Sequence, residues 1–498
     1  MHARLSAVAL SGLDARRVDV ECSTGQGLPG VKLVGLPDAA VREAAERVRA
    51  SFHRLRLPWP ESKVVVNLAP ASLRKAGGGF DVAIALSILA ATGVVPPSSV
   101  VGLAAVGELG LDGTLRPVPG LLTMVAAAAR HGASCVAVPM RGAAEAALVE
   151  GVRLLAVEDL GQLVAVLRDG LRLEPPVAPT PVSSLGGLDL SDVRGQLLGR
   201  RAVELAAAGG HHLLLSGPPG CGKTLLAQRL PGLLPVLPFA EALESAAVLS
   251  AAGERDPEAP LDLRPPFRAP HHSTTAAGLL GGGAGVPRPG AISCAHRGVL
   301  FLDELLEIPR HVLDGLREPL ESGTVALTRA SGTVRYPARV QLVAATNPCP
   351  CGDLGREDRR CRCRPDQVTR YRSRLSGPLL DRIDLQVELQ RVPAITLVEL
   401  PAGEPTAIVA ERVACARAIA HERDGAATSQ VAWSDLRRSV GTEAQRRVAR
   451  VADALGWSAR GVERCLRVAR TIADVGGGGP VSTDEVDEAA GYRLAVSA

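Results

Sequence analysis

Hydrophobic and polar positions in the N-terminal third of the chain change repeatedly between strand-like and helix-like spacing. The apolar run 30–35 predicts a strand. Asp38 then begins a segment with an apolar residue at every third or fourth position through Leu55, which gives an amphipathic helix one apolar face. The same pattern predicts further elements: a strand at 62–67, helices at 81–91 and 121–130, and a strand at 135–139. A folded α/β or α+β domain, not a tail, therefore begins the chain.

A stretch with four prolines interrupts this pattern between residues 173 and 185 and predicts a stiff, extended linker. Beyond it, strands and helices alternate again to residue 390, and the spacing is then helical with no convincing strand. Candidate helices in this last part are 407–422, 442–455, 458–475 and 482–494. We predict four segments: an N-terminal domain at 1–172, the linker at 173–185, an α/β core at 186–390 and a helical C-terminal domain at 391–498.

Composition narrows the possible functions. The chain has 498 residues, of which 46% are hydrophobic and 22% charged, so it can build several cores and is not a disordered chain. A net charge of +4 does not identify a nucleic-acid partner by itself. Aromatic residues make up only 2%, which argues against binding that relies on rows of base-stacking rings. Any contact with nucleic acid is therefore expected to be made mainly with phosphates.

The sequence indicates a cytoplasmic protein without a membrane partner. The first apolar stretch, 5–13, is short and lacks a small-residue cleavage site, and the longest apolar run, 82–95, is too short to span a bilayer. Ten cysteines in a chain of this length do not form a disulfide framework of the secreted type.

The strongest chemical signal is a G-x-x-x-x-G-K-T motif between an apolar strand and a helical run. Its glycines let backbone N–H groups turn towards phosphate oxygens, and Lys223 is expected to reach the β- and γ-phosphates. The Thr224 hydroxyl is expected to bind Mg²⁺. A glycine loop without function is the alternative, but only four lysines occur in the chain and one fills this position. The predicted nucleotide-binding residues here are Gly217, Pro218, Pro219, Gly220, Cys221, Gly222, Lys223 and Thr224.

Two later strands end in polar residues that complete such a site. The apolar run 298–302 is followed by Asp303 and Glu304. We expect Asp303 to hold Mg²⁺ and Glu304 to polarise the attacking water. A surface acidic pair is the alternative. The next strand, 340–346, ends in Asn347, whose amide is suited to sensing the γ-phosphate and orienting water.

The order of these motifs from residue 186 onwards resembles the AAA+ ATPases. More narrowly, it is similar to the branch that contains the magnesium-chelatase ATPase subunit, the MCM helicases and the ComM/YifB group. Residues 192–196 resemble the adenine-proximal segment of that family, and Asn347 matches its first sensor. Arg382 matches the arginine finger, which acts on ATP bound by the neighbouring subunit, and Arg460 matches the second sensor on the helical lid, a nucleotide-binding role. The resemblance implies a homo-oligomeric ring, with a hexamer expected.

Alternatives remain for both arginines. A structural ion pair with Asp381 or Asp384 would explain Arg382 equally well, and Arg460 is also compatible with a solvated position on a helix.

Residues 324–336 alternate around Gly332 and predict a β-hairpin. In the related helicases a hairpin at this position projects into the central pore, so the resemblance makes Arg329 and Arg335 candidate contacts to the DNA backbone. Ordinary solvated arginines are the alternative. The segment 356–382 contains nine arginines and four acids, a local charge of +5. It is the best electrostatic footprint for DNA in the chain, although charge compensation and subunit contacts would also explain it.

A C-x-C-x9-C-x-C pattern follows Asn347 directly. Four thiols this close in sequence suit tetrahedral Zn²⁺, while reduced thiols and a redox disulfide are the alternatives. The candidate ligands are Cys349, Cys351, Cys361 and Cys363. The adjacent pair His271 and His272 recurs in the ComM/YifB group, and we assign it no mechanism from sequence.

Two N-terminal segments, 73–81 and 107–120, are similar to the catalytic domain of Lon proteases, which has a ribosomal-S5-like fold. The nucleophilic serine of that family falls at Gly79 and its general-base lysine at Met124. Since both catalytic groups are missing, peptidase activity is not expected. A domain that has this fold but lacks the catalytic residues suggests a role in binding or assembly.

Together these observations predict a multi-domain α/β protein. It would comprise an N-terminal Lon-protease-like α+β domain, a P-loop AAA+ core and a C-terminal α-helical lid. The expected function is a ring-forming ATPase that uses ATP and Mg²⁺ and acts on DNA, as a helicase or branch-migration motor in recombination or natural transformation. The alternatives are the ATPase subunit of a magnesium chelatase and an ATP-dependent protein remodeller.

Overall fold

The computed structural model describes residues 2–183, 187–283, 287–329, 332–355 and 361–493. Its first part is a seven-stranded mixed sheet. An antiparallel pair of long strands lies at the centre of this sheet, with a register that runs from His2 opposite Ser23 to Ser11 opposite Asp14. In spatial order, the seven strands are Gly30–Val34, Lys63–Ala69, Asp14–Gly25, His2–Ser11, Leu103–Ala105, Cys135–Pro139 and Arg153–Val157.

Helices cover both faces of this sheet. In Asp81–Ala91 all eleven residues are buried, which is why the segment is apolar all round instead of along one stripe. Asp38 begins the first helix, as its spacing predicts, and its carboxylate accepts a hydrogen bond from the Val41 N–H at 2.9 Å. The helices are Ala39–Arg54, Asp81–Ala91, Leu121–Arg130, Ala143–Ala146 and Leu160–Asp169, and a small ribbon pairs Glu108–Leu109 with Leu115–Arg116.

The second sheet has five strands, and every pairing within it is parallel. In spatial order the strands are Phe267–Arg268, Val299–Leu302, Gln341–Thr346, Leu213–Ser216 and Leu385–Glu388. Because the carboxyl ends of parallel strands meet at one edge, the segments after Ser216, Leu302 and Thr346 converge there. That edge carries the predicted nucleotide site.

Short helices surround the second sheet. The segment 310–322 forms two helices with a break at Gly315, where a Cβ would lie 2.6 Å from Leu280 Cδ1. The helices are Leu197–Gly209, Lys223–Ala227, Phe239–Ala252, Ala276–Leu280, Ala291–Cys294, Arg310–Asp314, Arg317–Ser322, Pro365–Arg372 and Gly377–Leu380. Two small ribbons pair Gly281–Gly282 with Arg288–Pro289 and Thr324–Arg329 with Gly332–Pro337.

The described residues beyond 393 are helical, as expected. Buried side chains of the long helix Ala459–Val475, among them Leu466 and Val468, join the core cluster that also holds Leu205 and Leu213. The C-terminal helices are Ala394–Glu399, Thr406–Asp424, Trp433–Ser439, Thr442–Leu455, Ala459–Val475 and Thr483–Gly491. The predicted end of the last helix at residue 494 lies outside the described residues.

The part of the chain that holds the first sheet packs directly on the part that holds the second. Leu122 and Leu148 form a small apolar cluster with Ala242 and Ala246 of the helix Phe239–Ala252. The end of the predicted linker is also held, because Val182 N–H donates to the carbonyl of Leu261 at 2.9 Å. The division into four segments at the predicted boundaries stays a prediction.

Candidate nucleotide site

The predicted phosphate loop, residues 217–224, leads from the strand Leu213–Ser216 into the helix Lys223–Ala227. Gly220 and Gly222 have φ of +76° and +96°, which favours glycine. A Cβ built on either would meet no atom within 4 Å, so the space beside the loop is open at both positions. At Gly217 a Cβ would instead lie 2.5 Å from the carbonyl oxygen of Leu389. The backbone passes too closely there for a side chain.

Lys223 connects this loop to the strand that ends at Thr346. The side chain is buried, and its Nζ donates to the carbonyl oxygens of Gly217 at 2.7 Å and Pro218 at 3.0 Å. A third bond, at 3.1 Å, goes to Oδ1 of Asn347. Burial lowers the pKa of the Lys223 ammonium. Two residues 124 positions apart, predicted for one site, are therefore in direct contact.

Thr224 and Asp303 form the second contact across the site. The Thr224 hydroxyl donates to Oδ2 of Asp303 at 2.7 Å, and Oδ1 of the same carboxylate accepts the Glu304 N–H at 2.9 Å. A hydroxyl and a carboxylate this close offer the hard oxygen ligands that Mg²⁺ prefers. The residues predicted to hold Mg²⁺ thus lie together.

Glu304 projects from an unusual backbone position. Its φ of +50° is uncommon for a residue with a side chain, and the carboxylate is half exposed. Oε2 of Glu304 lies 2.8 Å from Nδ1 of His272. The sequence shows the histidine pair but gives no signal that one ring reaches the predicted catalytic carboxylate.

The segment predicted to lie near adenine also reaches the loop, since Gln196 Nε2 donates to the carbonyl oxygen of Cys221 at 2.8 Å. An open glycine loop, a lysine at its base and a hydroxyl–carboxylate pair beside it form a donor set that fits a magnesium nucleotide. In that arrangement backbone N–H groups and Lys223 would hold phosphates, while Thr224 and Asp303 would hold the cation.

Known proteins resemble the chain along nearly its whole length. The protein YifB of Escherichia coli is 42% identical over 495 residues, which covers 97% of this chain and 96% of YifB. The competence protein ComM of Haemophilus influenzae is 40% identical over 496 residues, which covers 98% and 96% of the two chains. The chain belongs to the ComM/YifB family.

Family descriptions extend this result to magnesium chelatase. "Magnesium chelatase, subunit ChlI" matches residues 189–397, "Subunit ChlI of Mg-chelatase" matches 20–142, and "Magnesium chelatase, subunit ChlI C-terminal" matches 403–493. The magnesium-chelatase 38 kDa subunit of Cereibacter sphaeroides is 30% identical over 176 residues, 32% of this chain and 52% of that protein. This ComM/YifB protein is therefore of the magnesium-chelatase-like AAA+ ATPase type, and its parallel α/β sheet agrees with that fold.

Arg382 and Arg460 of the ComM/YifB chain meet at one carboxylate that sequence reasoning missed. Arg382 is buried, and its Nη2 lies 2.6 Å from Oε1 of Glu321. Arg460 is 59% exposed, and its Nη2 lies 3.7 Å from the same oxygen. The two side chains line a cavity of about 210 Å³ together with Arg464, Arg467 and others.

Asp384, the suggested alternative partner of Arg382, instead joins the C-terminal helices to the second sheet. It is buried and accepts from Arg464 Nη1 at 2.6 Å and from the backbone N–H of His212 at 3.1 Å. Burial raises the pKa of Asp384, but Arg464 and His211 outweigh this effect and the net pKa is lowered. This buried cluster fixes the helix Ala459–Val475 against the strand that leads into the phosphate loop.

The predicted hairpin exists, and its two arginines lie on opposite faces. The register pairs Arg329 with Gly332 and Ala326 with Arg335, so the two arginines are an odd number of positions apart and point to opposite faces. Both are exposed. The tip, residues 330 and 331, lies outside the described residues, as does the start of the basic segment at 356–360.

Part of the basic segment makes internal contacts. Arg374 Nη1 donates to the carbonyl oxygen of Leu306 at 2.7 Å, and Arg372 Nε donates to that of Pro348 at 3.4 Å. These arginines hold the segment against the nucleotide site, so its local charge is not all free for a partner.

The four cysteines that follow Asn347 lie together. Their sulfur atoms are all within 4.8 Å of one another, and none of the four is in a disulfide. The backbone N–H groups of Asp353 and Arg362 lower the pKa of the Cys351 thiol.

The two N-terminal positions aligned with the Lon dyad also meet. A Cβ on Gly79 would lie 3.5 Å from Cε of Met124, and Val118 is the next neighbour at 3.7 Å. All three residues are buried, so the contact is apolar. The likeness of this region to a Lon domain stays a prediction. Among the described residues, no helix is long and apolar enough to cross a membrane.

Proposed function

We propose that this protein is a ring-forming, Mg²⁺-dependent ATPase that acts on DNA, as a helicase or branch-migration motor. The observation that carries the ATPase part is the convergence of Lys223, Thr224, Asp303, Glu304 and Asn347 at one edge of the parallel sheet. Two of these contacts, Lys223 with Asn347 and Thr224 with Asp303, join segments that follow different strands, so together they describe one site.

Each side chain of the site would have a separate role in hydrolysis. Lys223 neutralises phosphate charge, and Thr224 and Asp303 hold the cation. When bound, Mg²⁺ stabilises the negative charge that develops on the phosphate oxygens. Glu304 accepts a proton from the attacking water, and the Asn347 amide orients that water or the terminal phosphate. The contact between Lys223 and Asn347 keeps both groups in register.

The ring part of the proposal rests on Arg382 and Arg460. Their common partner Glu321 and the cavity they share support a joint role. Four arginines and the three carboxylates Glu321, Asp381 and Glu463 line this cavity, so the arginines outnumber the acids by one. We infer that both arginines act on ATP bound by the neighbouring subunit of a ring, expected to be a hexamer. Arg460 would then bind nucleotide in trans.

The DNA part rests on three observations. The relative from Haemophilus influenzae is named a competence protein. The hairpin Thr324–Pro337 carries the exposed Arg329 and Arg335, and the segment 356–382 is basic. Because the arginines lie on opposite faces of the hairpin, one phosphate backbone would contact them in turn and not together. We place this activity in the cytoplasm, where recombination or natural transformation would use it.

The second candidate function is the ATPase subunit of a magnesium chelatase. The family descriptions that match three parts of the chain name that enzyme, and so does the relative from Cereibacter sphaeroides. That relative covers only 32% of this chain, whereas the YifB and ComM proteins cover 97% and 98%. We therefore place DNA first.

Partner-dependent stimulation of ATP hydrolysis tests the proposal. The rate is measured alone, with branched DNA, with linear DNA, and with a porphyrin plus a chelatase partner extract. We expect branched DNA to stimulate the wild-type protein several-fold, and the Arg329→Ala, Arg335→Ala double variant to lose that stimulation while keeping its basal rate. Stimulation by porphyrin and not by DNA would favour the chelatase function. No hydrolysis under any condition would contradict the ATPase proposal.

A further inference from the structure

Four cysteines lie at the corners of a compact cluster beside the phosphate loop. The sulfur of Cys349 is 3.4 Å from that of Cys351 and 3.7 Å from that of Cys361, and Cys351 and Cys361 are 3.6 Å apart. Cys363 completes a set whose sulfurs all lie within 4.8 Å of one another. These separations are far longer than a disulfide bond of about 2.05 Å.

The same separations suit a tetrahedral metal site. Sulfur atoms bound to one Zn²⁺ at about 2.3 Å lie about 3.8 Å from each other. Arg362 and Arg364 are exposed beside the cluster, where their positive charge offsets the net negative charge of four thiolates around a dication.

We propose that Cys349, Cys351, Cys361 and Cys363 bind one Zn²⁺, and that this ion fixes the segment after Asn347 against the phosphate loop. Binding releases the thiol protons to solvent and involves no change of oxidation state.

Two contacts connect the cluster to the nucleotide site. Asn347, two residues before Cys349, accepts a hydrogen bond from Lys223 at 3.1 Å. Gly352, one residue after Cys351, has φ of +79°, and a Cβ there would lie 2.6 Å from Cδ of Pro219. The turn that follows Cys351 therefore packs directly on the phosphate loop. An ordered metal site would hold both Asn347 and Pro219 in place.

Metal analysis of the full-length protein, purified without added metal, tests the site. We expect about one Zn²⁺ per chain in the wild type and in the matched control Cys415→Ser, an exposed cysteine on the helix Thr406–Asp424. The Cys361→Ser, Cys363→Ser double variant should contain none. A misfolded double variant would also lack zinc, so a second measurement on the wild type is needed. Co²⁺ is therefore titrated into chelator-treated wild type, where tetrahedral thiolate coordination should give intense visible absorption that saturates at one equivalent.

Nucleotide affinity tests the connection to the phosphate loop. Removal of the metal should weaken binding of a non-hydrolysable ATP analogue roughly tenfold, the size typical of lost support around a site. This part rests on the proposed function, and wild-type binding of the analogue tests that function separately. Four free thiols without metal, or a disulfide between two of the cysteines, would overturn the site. Bound zinc with an unchanged affinity after its removal would overturn the connection.

A second inference concerns His272. Its Nδ1 lies 2.8 Å from Oε2 of Glu304, and its ring packs on that of His271 with centroids 4.0 Å apart. His271 in turn has Nδ1 2.8 Å from the Ser273 hydroxyl. The histidines follow the strand Phe267–Arg268, which pairs with the strand that ends just before Asp303. The loop is therefore carried by the neighbouring strand of the same sheet.

We infer that His272 is a positioning residue for Glu304. A half-exposed carboxylate on the long, flexible side chain of a glutamate has several rotamers of similar energy, and a hydrogen bond to one oxygen selects one of them. The other oxygen is then free to accept a proton from water. This role rests on the proposed hydrolytic function of Glu304.

Steady-state kinetics of three variants test this role. His272→Ala should lower kcat by ~10²-fold, the cost of a misplaced catalytic group, with little change in KM for ATP. His272→Gln keeps an N–H donor and should recover part of the loss, whereas the control His421→Ala, at an exposed histidine on the helix Thr406–Asp424, should stay close to wild type. A His272→Ala enzyme with wild-type kcat would overturn the role. A wild type without ATPase activity would instead contradict the proposed function.

Discussion

Two buried residues, Lys223 in the candidate nucleotide site and Gly79 in the N-terminal part, have surroundings of opposite chemistry. In the nucleotide site, Lys223 is buried with three oxygen acceptors around its ammonium group. In the N-terminal part, Gly79 packs against Met124 and Val118, and no ionisable side chain is among these neighbours. A buried cation requires such partners to offset its lost hydration, while a thioether requires none. The first site therefore has a polar network around its buried cation, whereas the side chains nearest to Gly79 are apolar.

Burial alone therefore does not identify a catalytic site. What separates the two is the convergence of polar groups from different strands, with Asn347, Thr224 and Asp303 all directed at one edge of a sheet. By the predicted likeness to Lon proteases, Gly79 and Met124 take the places of a catalytic dyad, and neither has a group that could act in it. If that is correct, substitutions at the two sites should have very different consequences.

The largest expected effect is at the proposed subunit interface. Arg382→Ala should lower kcat by ~10³- to 10⁵-fold, as expected for an arginine finger. Mixing it with Lys223→Ala should restore part of the activity, because each variant keeps the half of the interface that the other lacks. The exposed Arg447, paired with Asp487, provides the matched control Arg447→Ala, which should keep wild-type kcat. A mixture that forms mixed rings but stays inactive would show that Arg382 does not act in trans.

The next effect is expected at Glu304, the proposed catalytic carboxylate. Glu304→Gln should lower kcat by ~10²- to 10⁴-fold, because an amide cannot accept the proton of the attacking water. ATP affinity should stay close to wild type, since Lys223, Thr224 and Asp303 are intact. The nearby Glu307→Gln, at an exposed carboxylate that pairs with Arg374, is the control. Wild-type hydrolysis by Glu304→Gln would refute the assigned role.

A smaller effect is expected where the C-terminal helices join the second sheet. Asp384→Ala leaves Arg464 without its buried partner and should destabilise this junction by ~3–5 kcal/mol. The matched change Asp487→Ala breaks an exposed pair with Arg447 and should cost at most ~1 kcal/mol. Hydrogen exchange in the helix Ala459–Val475 measures both. Equal protection in the two variants would contradict the role assigned to Asp384.

The same junction predicts a dependence on pH. Because the folded-state pKa of Asp384 is lowered, its stabilising effect is present above the ordinary pKa of aspartate and is lost as the pH falls through the folded-state value. Exchange in this helix should therefore accelerate in strong acid in the wild type, and Asp384→Asn should lack that contribution.

The smallest effect is expected at Gly79, and the same substitution at Gly217 provides the contrast. Gly79→Ala adds a Cβ at an ordinary contact distance of 3.5 Å from Met124, so unfolding free energy should change by less than ~0.5 kcal/mol and kcat not at all. Gly217→Ala adds a Cβ 2.5 Å from a backbone oxygen and should abolish nucleotide binding. Loss of ATPase activity in Gly79→Ala would mean that the N-terminal site is not inert.

Much of the nucleotide site could be predicted because its groups sit in short motifs at strand ends. The order of Lys223, Asp303 and Asn347 along the chain was enough to expect that they meet. The partner of His272 could not be predicted, because the path of a loop leaves no periodic pattern. Glu321 was missed for a related reason, since its helix packs beside Arg382 only in three dimensions.

The N-terminal fold shows a different limit. The long hairpin His2–Ser11 with Asp14–Gly25 is absent from the predicted elements, although Val18, Val20 and Cys22 alternate along its second strand and are buried. Its contact with the second part was beyond sequence: a Cβ on Gly12 would lie 2.5 Å from Cγ1 of Val334, so the turn packs on the candidate DNA hairpin. Packing between parts of a chain depends on surfaces that no local motif records.

Equilibrium binding of Mg²⁺–ATP to matched lysine variants tests the central claim most directly. Calorimetric titration of the full chain should give one site per subunit in Glu304→Gln, which binds without turnover, and no detectable binding when Lys223→Ala is added. Adding the exposed N-terminal change Lys63→Ala to Glu304→Gln instead should leave affinity unchanged. If the Lys223→Ala protein bound ATP as tightly as the Lys63→Ala protein, the nucleotide site would lie elsewhere and the contrast between the two buried sites would fail.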